Sequence, residues 1–156
     1  MSTASRELVS FRLVGVEAAE LLTQIHAEAF ANYWNPNDFN DFFSVPGTRA
    51  FLAEIAGQSV GMAVLRVSGE QADIITIAIR KAFRRQGLGR SLMLQAIEMA
   101  KELGAASMFL DVENGNIPAI ALYEGLGFAH LSRRKLYYRQ KDGTYTDALV
   151  MTCKLA

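Results

Sequence analysis

The chain has 156 residues, 51% of them apolar, with 16 Lys/Arg against 16 Asp/Glu and a single cysteine, Cys153. That size suits one domain with a real hydrophobic core. Zero net charge argues against a nucleic-acid binder that works by neutralising phosphates, and one cysteine rules out a disulfide framework or a Cys-rich metal site. No apolar run approaches the ~18 residues of a membrane span, and Met1 to Val9 shows no apolar stretch of the kind a secretory signal carries. These features predict one cytoplasmic domain over residues 1–156, monomeric or homodimeric, without a membrane partner and without direct nucleic-acid binding.

In chain order, Leu8–Val14 reads as a short strand. Val16–Phe30 has helical spacing at Val16, Ala19, Leu22, Ile25, Ala29 and Phe30. Asn35-Pro36 opens a second helix, with proline suited to its first turn and Phe39, Phe42 and Phe43 as its apolar residues. Ala50–Ile55 and Val60–Val67 read as strands joined by the hairpin signal Ala56-Gly57-Gln58-Ser59. After a turn at Ser68–Gln71, Asp73–Ile79 is a third apolar strand of this group. A helical run from Ser91 to Leu103 ends at Gly104, a glycine suited to a helix terminus. Met108–Val112 is a strand, Pro118–Leu126 a helix closed by Gly127, and Phe128–Tyr138 and Asp147–Lys154 are strands joined across Asp142-Gly143. The result is a mixed α/β chain in the order β-α-α-β-β-β-α-β-α-β-β.

The most informative stretch is Arg84-Arg85-Gln86-Gly87-Leu88-Gly89-Arg90, between the strand ending at Ile79 and the helix that follows. Two glycines let backbone approach a ligand closely, and a helix start offers free N–H groups and the positive end of its dipole, which favour phosphate. Five Lys/Arg lie between Arg80 and Arg90 with no acid among them, a local excess in a neutral chain. The physical reading is a pyrophosphate-bearing ligand; the plainer alternative is a glycine-rich turn with solvated arginines. The pattern lacks the third glycine of a dinucleotide fingerprint and the Gly-Lys-Ser/Thr of a Walker loop.

Arg84-x-x-Gly87-x-Gly89 resembles the acyl-CoA loop of the GNAT superfamily of N-acetyltransferases. A second block, Asn116-x-x-Ala119-x-x-Leu122-Tyr123-x-x-Leu126-Gly127-Phe128, resembles that superfamily's other characteristic segment, in the right order and at the right distance. The resemblance implies the GNAT fold: a mixed central sheet of about seven strands, splayed between the fourth and fifth, flanked by about four helices. It implies acetyl-CoA as co-substrate, an amine as acceptor and no metal. Ile77, Ala78 and Ile79 would offer main-chain groups to the pantetheine arm, as in β-augmentation. The amides from Arg85 through Gln86, Gly87, Leu88 and Gly89 to Arg90 would wrap the pyrophosphate, with the side chains of Arg84, Arg85 and Arg90 either reaching phosphates or staying in solvent. Asn116 would position the pantetheine, cap the next helix, or both. Tyr123 would protonate the thiolate leaving group; its alternative is a packed tyrosine with an exposed hydroxyl.

An amine acceptor also needs a base. Asp111 and Glu113 alternate along one strand and so leave from similar faces; solvent-facing acids are the alternative. Within the superfamily, Phe109–Phe128, the pair Tyr137-Tyr138 before Lys141-Asp142-Gly143, and Trp34-x-x-x-x-Phe39 resemble the bacterial ribosomal-protein-alanine N-acetyltransferases. Their base is a glutamate in a Leu-Glu-Val-Arg run, which here reads Leu110-Asp111-Val112-Glu113. The shorter aspartate, the charge reversal at Glu113, Arg139 in place of a proline and an apparent extra residue in Arg133–Leu136 are departures. Two acceptors therefore stand: the α-amine of a ribosomal protein, or a small amine such as a polyamine, amino acid or aminoglycoside held by Asp38, Asp41, Asp111 and Glu113. A non-catalytic acyl-CoA-binding module is a third reading, which Tyr123 weakly opposes. Arg133-Arg134-Lys135 is one short basic run, read as a solvated strand face or a rim for peptide or CoA.

Overall fold

The architecture comes from a computed structural model, which describes residues 8–139 and 142–155. The N-terminal stretch before Leu8 and Lys141 of the Lys-Asp-Gly turn lie outside the described residues. The elements are β1 (Val9–Val14), α1 (Ala19–Ala29), α2 (Pro36–Phe43), β2 (Thr48–Ile55), β3 (Gln58–Ser68), β4 (Gln71–Ile79), α3 (Leu88–Glu102), β5 (Ser107–Glu113), α4 (Ile117–Gly125), β6 (Ala129–Arg139) and β7 (Tyr145–Lys154). This is the element order expected from the sequence.

Two helix starts differ from expectation by three residues each. The first turn of the anticipated Val16–Phe30 helix tightens into a 3-10 turn at Val16–Ala18, and Phe30 is already extended (φ −130°), as helix ends often do. The third helix begins at Leu88 rather than Ser91, because Gly87 takes a left-handed conformation (φ 81°) and serves as its N-cap. The second helix starts where its caps dictate. Asn35 accepts from the Asp38 backbone N–H while Asp38 accepts from that of Asn35, a reciprocal capping box with Pro36 just inside.

The seven strands form one sheet in the order β1-β2-β3-β4-β5-β7-β6. Its central strands are covered on both faces. Alternation along β2 sends Phe51, Ala53 and Ile55 to a core shared with Leu88, Leu92, Met93, Ala96 and Ala100 of α3. Ala50 and Leu52 go to a second core shared with Leu22 and Ile25 of α1 and Phe39 of α2. β6 is the far edge strand and is exposed along nearly its whole length.

Every neighbouring pair is antiparallel except β4 and β5, which pair in parallel only at Gln71↔Ser107, Ala72↔Met108 and Asp73↔Phe109. Beyond Asp73 the two separate. β4 stays on β3 as far as Gly61↔Ile79, and β5 stays on β7 as far as Glu113↔Ala148. A register shift opposite Val64/Leu65 leaves Ile75 without a partner, since Leu65 pairs with Ile74 and Val64 with Thr76. Such a bulge bends and twists its strand, which turns the end of β4 away from β5.

Candidate active site

The separation leaves β4 from Ile74 to Ile79 with no strand on its β5 side. Ile77, Ala78 and Ile79 lie on this open edge. Ala78 is buried against the α1–α2 core, and Ile77 and Ile79 pack on the α3 core, so their side chains anchor the strand while main-chain groups face the gap. An unpaired strand edge inside a protein calls for a hydrogen-bonding partner.

The glycine loop follows at once. After a 3-10 turn at Lys81–Phe83 the chain reaches Arg85, itself left-handed (φ 63°), then Gly87 (φ 81°), and enters α3. A Cβ at Gly87 would meet nothing within 4 Å, so this glycine serves the backbone conformation and leaves open space in front of the loop. Gly89 has a different purpose. A Cβ there would sit 3.2 Å from Leu122 Cδ2 and 3.6 Å from Ile79 Cδ1, so the missing side chain lets α3, α4 and β4 close on one another. Among the three arginines, Arg84 is held by the protein itself. Its Nε donates to the Ile79 carbonyl (3.3 Å) and its Nη2 to the Glu28 carbonyl (2.9 Å). Arg85 and Arg90 are exposed.

Glu28, at the end of α1, is a residue the sequence did not single out. Its carboxylate accepts from the Lys81 backbone N–H (3.0 Å) and from Arg80 (2.6 Å). The Lys81 amide is the largest influence holding its pKa below the usual carboxylate value, with Arg80 and Arg84 adding to it. Glu28 thus ties α1 to the segment between β4 and the glycine loop. Beside it lies a groove of about 680 Å³ lined by Phe30, Asn32 and Tyr33 on the α1–α2 connection, by Lys81 and Arg84 below, and by Arg139 from the end of β6.

On β5, burial alternates strictly: Leu110 and Val112 are buried, while Asp111 and Glu113 are half-buried on the opposite face. Asp111 pairs with Arg134 of β6 (2.8 Å), whose guanidinium stacks on the Tyr137 ring (3.8 Å to the centroid). Glu113 accepts from the Thr146 hydroxyl (2.9 Å). Tyr138 lies among them. Burial, then Asp111, Tyr137, Tyr123 and Glu113, push its pKa well above the ordinary phenol value. Tyr123, on α4, packs edge-on against Phe128 (6.1 Å between centroids), and burial raises its pKa too. Asn116 caps α4 through its side-chain oxygen, which accepts from the Ala119 N–H (3.3 Å). Asp111, Glu113, Tyr123 and Tyr138 therefore converge from three elements; the glycine loop lies at the start of α3, keyed to α4 through Gly89 and Leu122. Tyr138 was legible only as part of a tyrosine pair.

Asp38 and Asp41 are elsewhere. They line a recess with Trp34, Phe42, Val45 and Arg66, and neither Asp111 nor Glu113 is among its lining residues. Among the described residues no cluster of three His, Cys, Asp or Glu side chains is placed to hold a metal, and no helix is long and apolar enough to cross a membrane.

The acetyltransferase (GNAT) family matches residues 17–128 of this chain. The chain belongs to the GNAT acetyltransferase family. It is 32% identical over 143 residues to the [ribosomal protein bS18]-alanine N-acetyltransferase of Escherichia coli, covering 90% of this chain and 95% of that one. It is 31% identical over 135 residues to the enzyme of the same name from Salmonella typhimurium, covering 85% and 88%. The crystal structure of the ribosomal-protein-S18-alanine N-acetyltransferase from Escherichia coli superposes with a TM-score of 0.88 at 28% identity, covering 96% of this chain and 95% of that one. As a GNAT enzyme the protein transfers the acetyl group of acetyl-CoA to an amine. The seven-stranded sheet, the β4–β5 splay and the four flanking helices are the fold that the family resemblance implied.

Proposed function

We propose that this GNAT enzyme acetylates the α-amine of an alanine at a protein N-terminus, with a ribosomal protein as the first candidate, and that it works as a single domain in the cytoplasm. The acceptor assignment is carried by the near full-length similarity to enzymes named for that reaction. Asp38 and Asp41 line a recess that includes neither Asp111 nor Glu113, which weakens the case for a polyamine.

The open edge of β4 at Ile77, Ala78 and Ile79 receives the pantetheine arm, and the amides of residues 85–90 receive the pyrophosphate at the start of α3. Arg85 and Arg90 are free to follow the phosphates. Arg84 instead fixes the loop to α1, and Asn116 holds the α4 start beside the pantetheine. The thioester then lies in the gap between β4 and β5, and the peptide enters along the groove between the α1–α2 connection and the end of β6. Asp111, through a water, takes a proton from the amine, whose nitrogen attacks the thioester carbonyl. The tetrahedral intermediate collapses with loss of the CoA thiolate, and Tyr123 supplies its proton. A phenol whose pKa burial raises stays protonated at neutral pH, as a donor must.

The test is thiol release from acetyl-CoA with Ala-, Ser- and Met-initiated peptides, lysine side chains, spermidine and aminoglycosides as acceptors. Ala-initiated peptide is expected to lead. Asp111→Asn should remove most turnover across the pH range in which the amine reacts, and Asp111→Glu should keep it. An enzyme that ignored every N-terminal peptide but acetylated spermidine, with Asp111→Asn altering only KM, would make Asp111 a cation-binding acid and end this reading.

A further inference from the structure

Between Arg134↔Ala148 and Tyr138↔Thr146, three residues of β6 (Lys135, Leu136 and Tyr137) stand opposite the single β7 residue Asp147. The surplus is absorbed as a bulge in which Leu136 is left-handed (φ 53°), a conformation an exposed leucine does not adopt without support. Asp147 supplies that support. Its Oδ1 accepts the Leu136 N–H (3.0 Å) and its Oδ2 faces Arg133 (3.7 Å). Its backbone carbonyl accepts the N–H of Asn114 (2.8 Å), one residue beyond Glu113 and two before Asn116.

The bulge sets where its flanking residues go. Arg134, just before it, reaches Asp111; Tyr137, within it, lies under the Arg134 guanidinium; Tyr138, just after it, comes among Asp111, Glu113 and Tyr123. Strand alternation puts Asp147 and Arg133 on the other face of the sheet from Arg134 and Asp111. The Asp147 carboxylate behind the sheet thereby holds the β6 segment that orients the proposed base, while the backbone carbonyl of the same residue holds the loop that leaves β5.

We infer that Asp147 is a positioning residue for acetyl transfer, acting by pinning the β6 bulge so that Arg134 and Tyr138 are presented to Asp111. This rests on the proposed role of Asp111. The hydrogen bond to Leu136 is the operative contact, because an exposed ion pair at 3.7 Å contributes little.

The experiment compares Asp147→Ala, which deletes the acceptor, with Asp147→Asn, which keeps an oxygen at that position and loses the charge. Asp147→Ala is expected to lower kcat by roughly tenfold to a hundredfold, the scale of an ångström-sized misplacement of a reacting group, with KM for acetyl-CoA unchanged. Asp147→Asn is expected to recover most of that loss. Hydrogen exchange gives a second readout: the Leu136 amide should be protected in the wild type and in Asp147→Asn, and unprotected in Asp147→Ala. Wild-type kcat in Asp147→Ala overturns the proposal, as does an equal loss in both variants or a loss confined to KM for acetyl-CoA. If Asp147→Ala does not fold, the wild-type amide decides: exchange at the rate of a free loop overturns the pinning, and protection together with near-normal kcat in Asp147→Asn upholds it. Kinetics are run on whichever amine the acceptor panel identifies, so a failure of the N-terminal-peptide assignment shows in the panel and a failure of Asp147 shows in the variants.

Discussion

Lowering the pH should weaken this protein through one buried residue, His26. It lies on α1 at 2% exposure, stacked between Phe30 (4.4 Å between centroids) and Trp34 (4.5 Å), with Phe39 edge-on at 5.7 Å. Its Nδ1 accepts the Trp34 backbone N–H (3.1 Å), so this nitrogen carries no proton in the folded state. Burial lowers the pKa from 6.5 to about 4, against a smaller opposing pull from Asp38. The folded state therefore binds fewer protons than the unfolded chain between those values, and stability falls as pH falls. The contribution is complete above about 6.5, declines through the window, and is exhausted below about 4. A gap of that size, at ~1.4 kcal/mol per pH unit, amounts to about 3 kcal/mol, a large part of a typical folding free energy. Urea denaturation across this pH range should show the slope, and His26→Phe, which cannot be protonated, should flatten it. Since Phe30 and Tyr33 wall the proposed peptide groove, KM for the acceptor should rise in the same window. Identical pH slopes in wild type and His26→Phe would refute the assignment.

Tyr123→Phe keeps the ring packing on Phe128 and removes only the hydroxyl; turnover should fall by roughly 10²-fold, the scale of general acid catalysis, while calorimetry shows acetyl-CoA still binding, and undiminished turnover would reassign the residue to packing. Gly89→Ala puts a methyl 3.2 Å from Leu122 and should cost about 1–3 kcal/mol as overpacking; Gly87→Ala, with open space around it, should cost about 1–2 kcal/mol through its left-handed backbone alone. Thermal melts rank the two, and acetyl-CoA titration of Gly87→Ala should show weaker binding if phosphate occupies that space. Ala56 (φ 51°) and Gly57 (φ 80°) form the two-residue turn between β2 and β3, for which Asn-Gly is the favoured pair, so Ala56→Asn should stabilise by about 0.5–1 kcal/mol in a denaturant titration. A loss of stability there would show that the turn tolerates Ala56 for another reason.

What the sequence made legible was local. The helix start at Asn35-Pro36, the glycine loop and the Asn116–Phe128 block each announce themselves over about a dozen residues, and the element order follows from such local signals, because caps, turns and periodicity act at short range. What it concealed came from distant segments meeting. Arg84 reads as either a phosphate ligand or a solvated arginine, yet its guanidinium sits on the carbonyl of Glu28, from a helix far upstream. Asp111 reads as a bare strand-end acid, yet Arg134 reaches it across the sheet. Tyr138 joins the site only because β6 gains residues against β7, and periodicity carries no information about register. The bulge at Ile75 was hidden for the same reason: Ile74-Ile75-Thr76-Ile77 reads as an unbroken strand.

The three-rung ladder between β4 and β5 also has a thermodynamic consequence. A sheet whose two middle strands part after three pairs leaves an edge that a ligand could complete. If acetyl-CoA pairs with that edge, the co-substrate binds the native state alone, and at a hundred times its dissociation constant the linkage adds ~2.7 kcal/mol to folding stability. The persistence of the enzyme in a cell would then follow the supply of activated acetyl groups, so that starvation for the thioester would thin the population of the catalyst as well as slow its reaction.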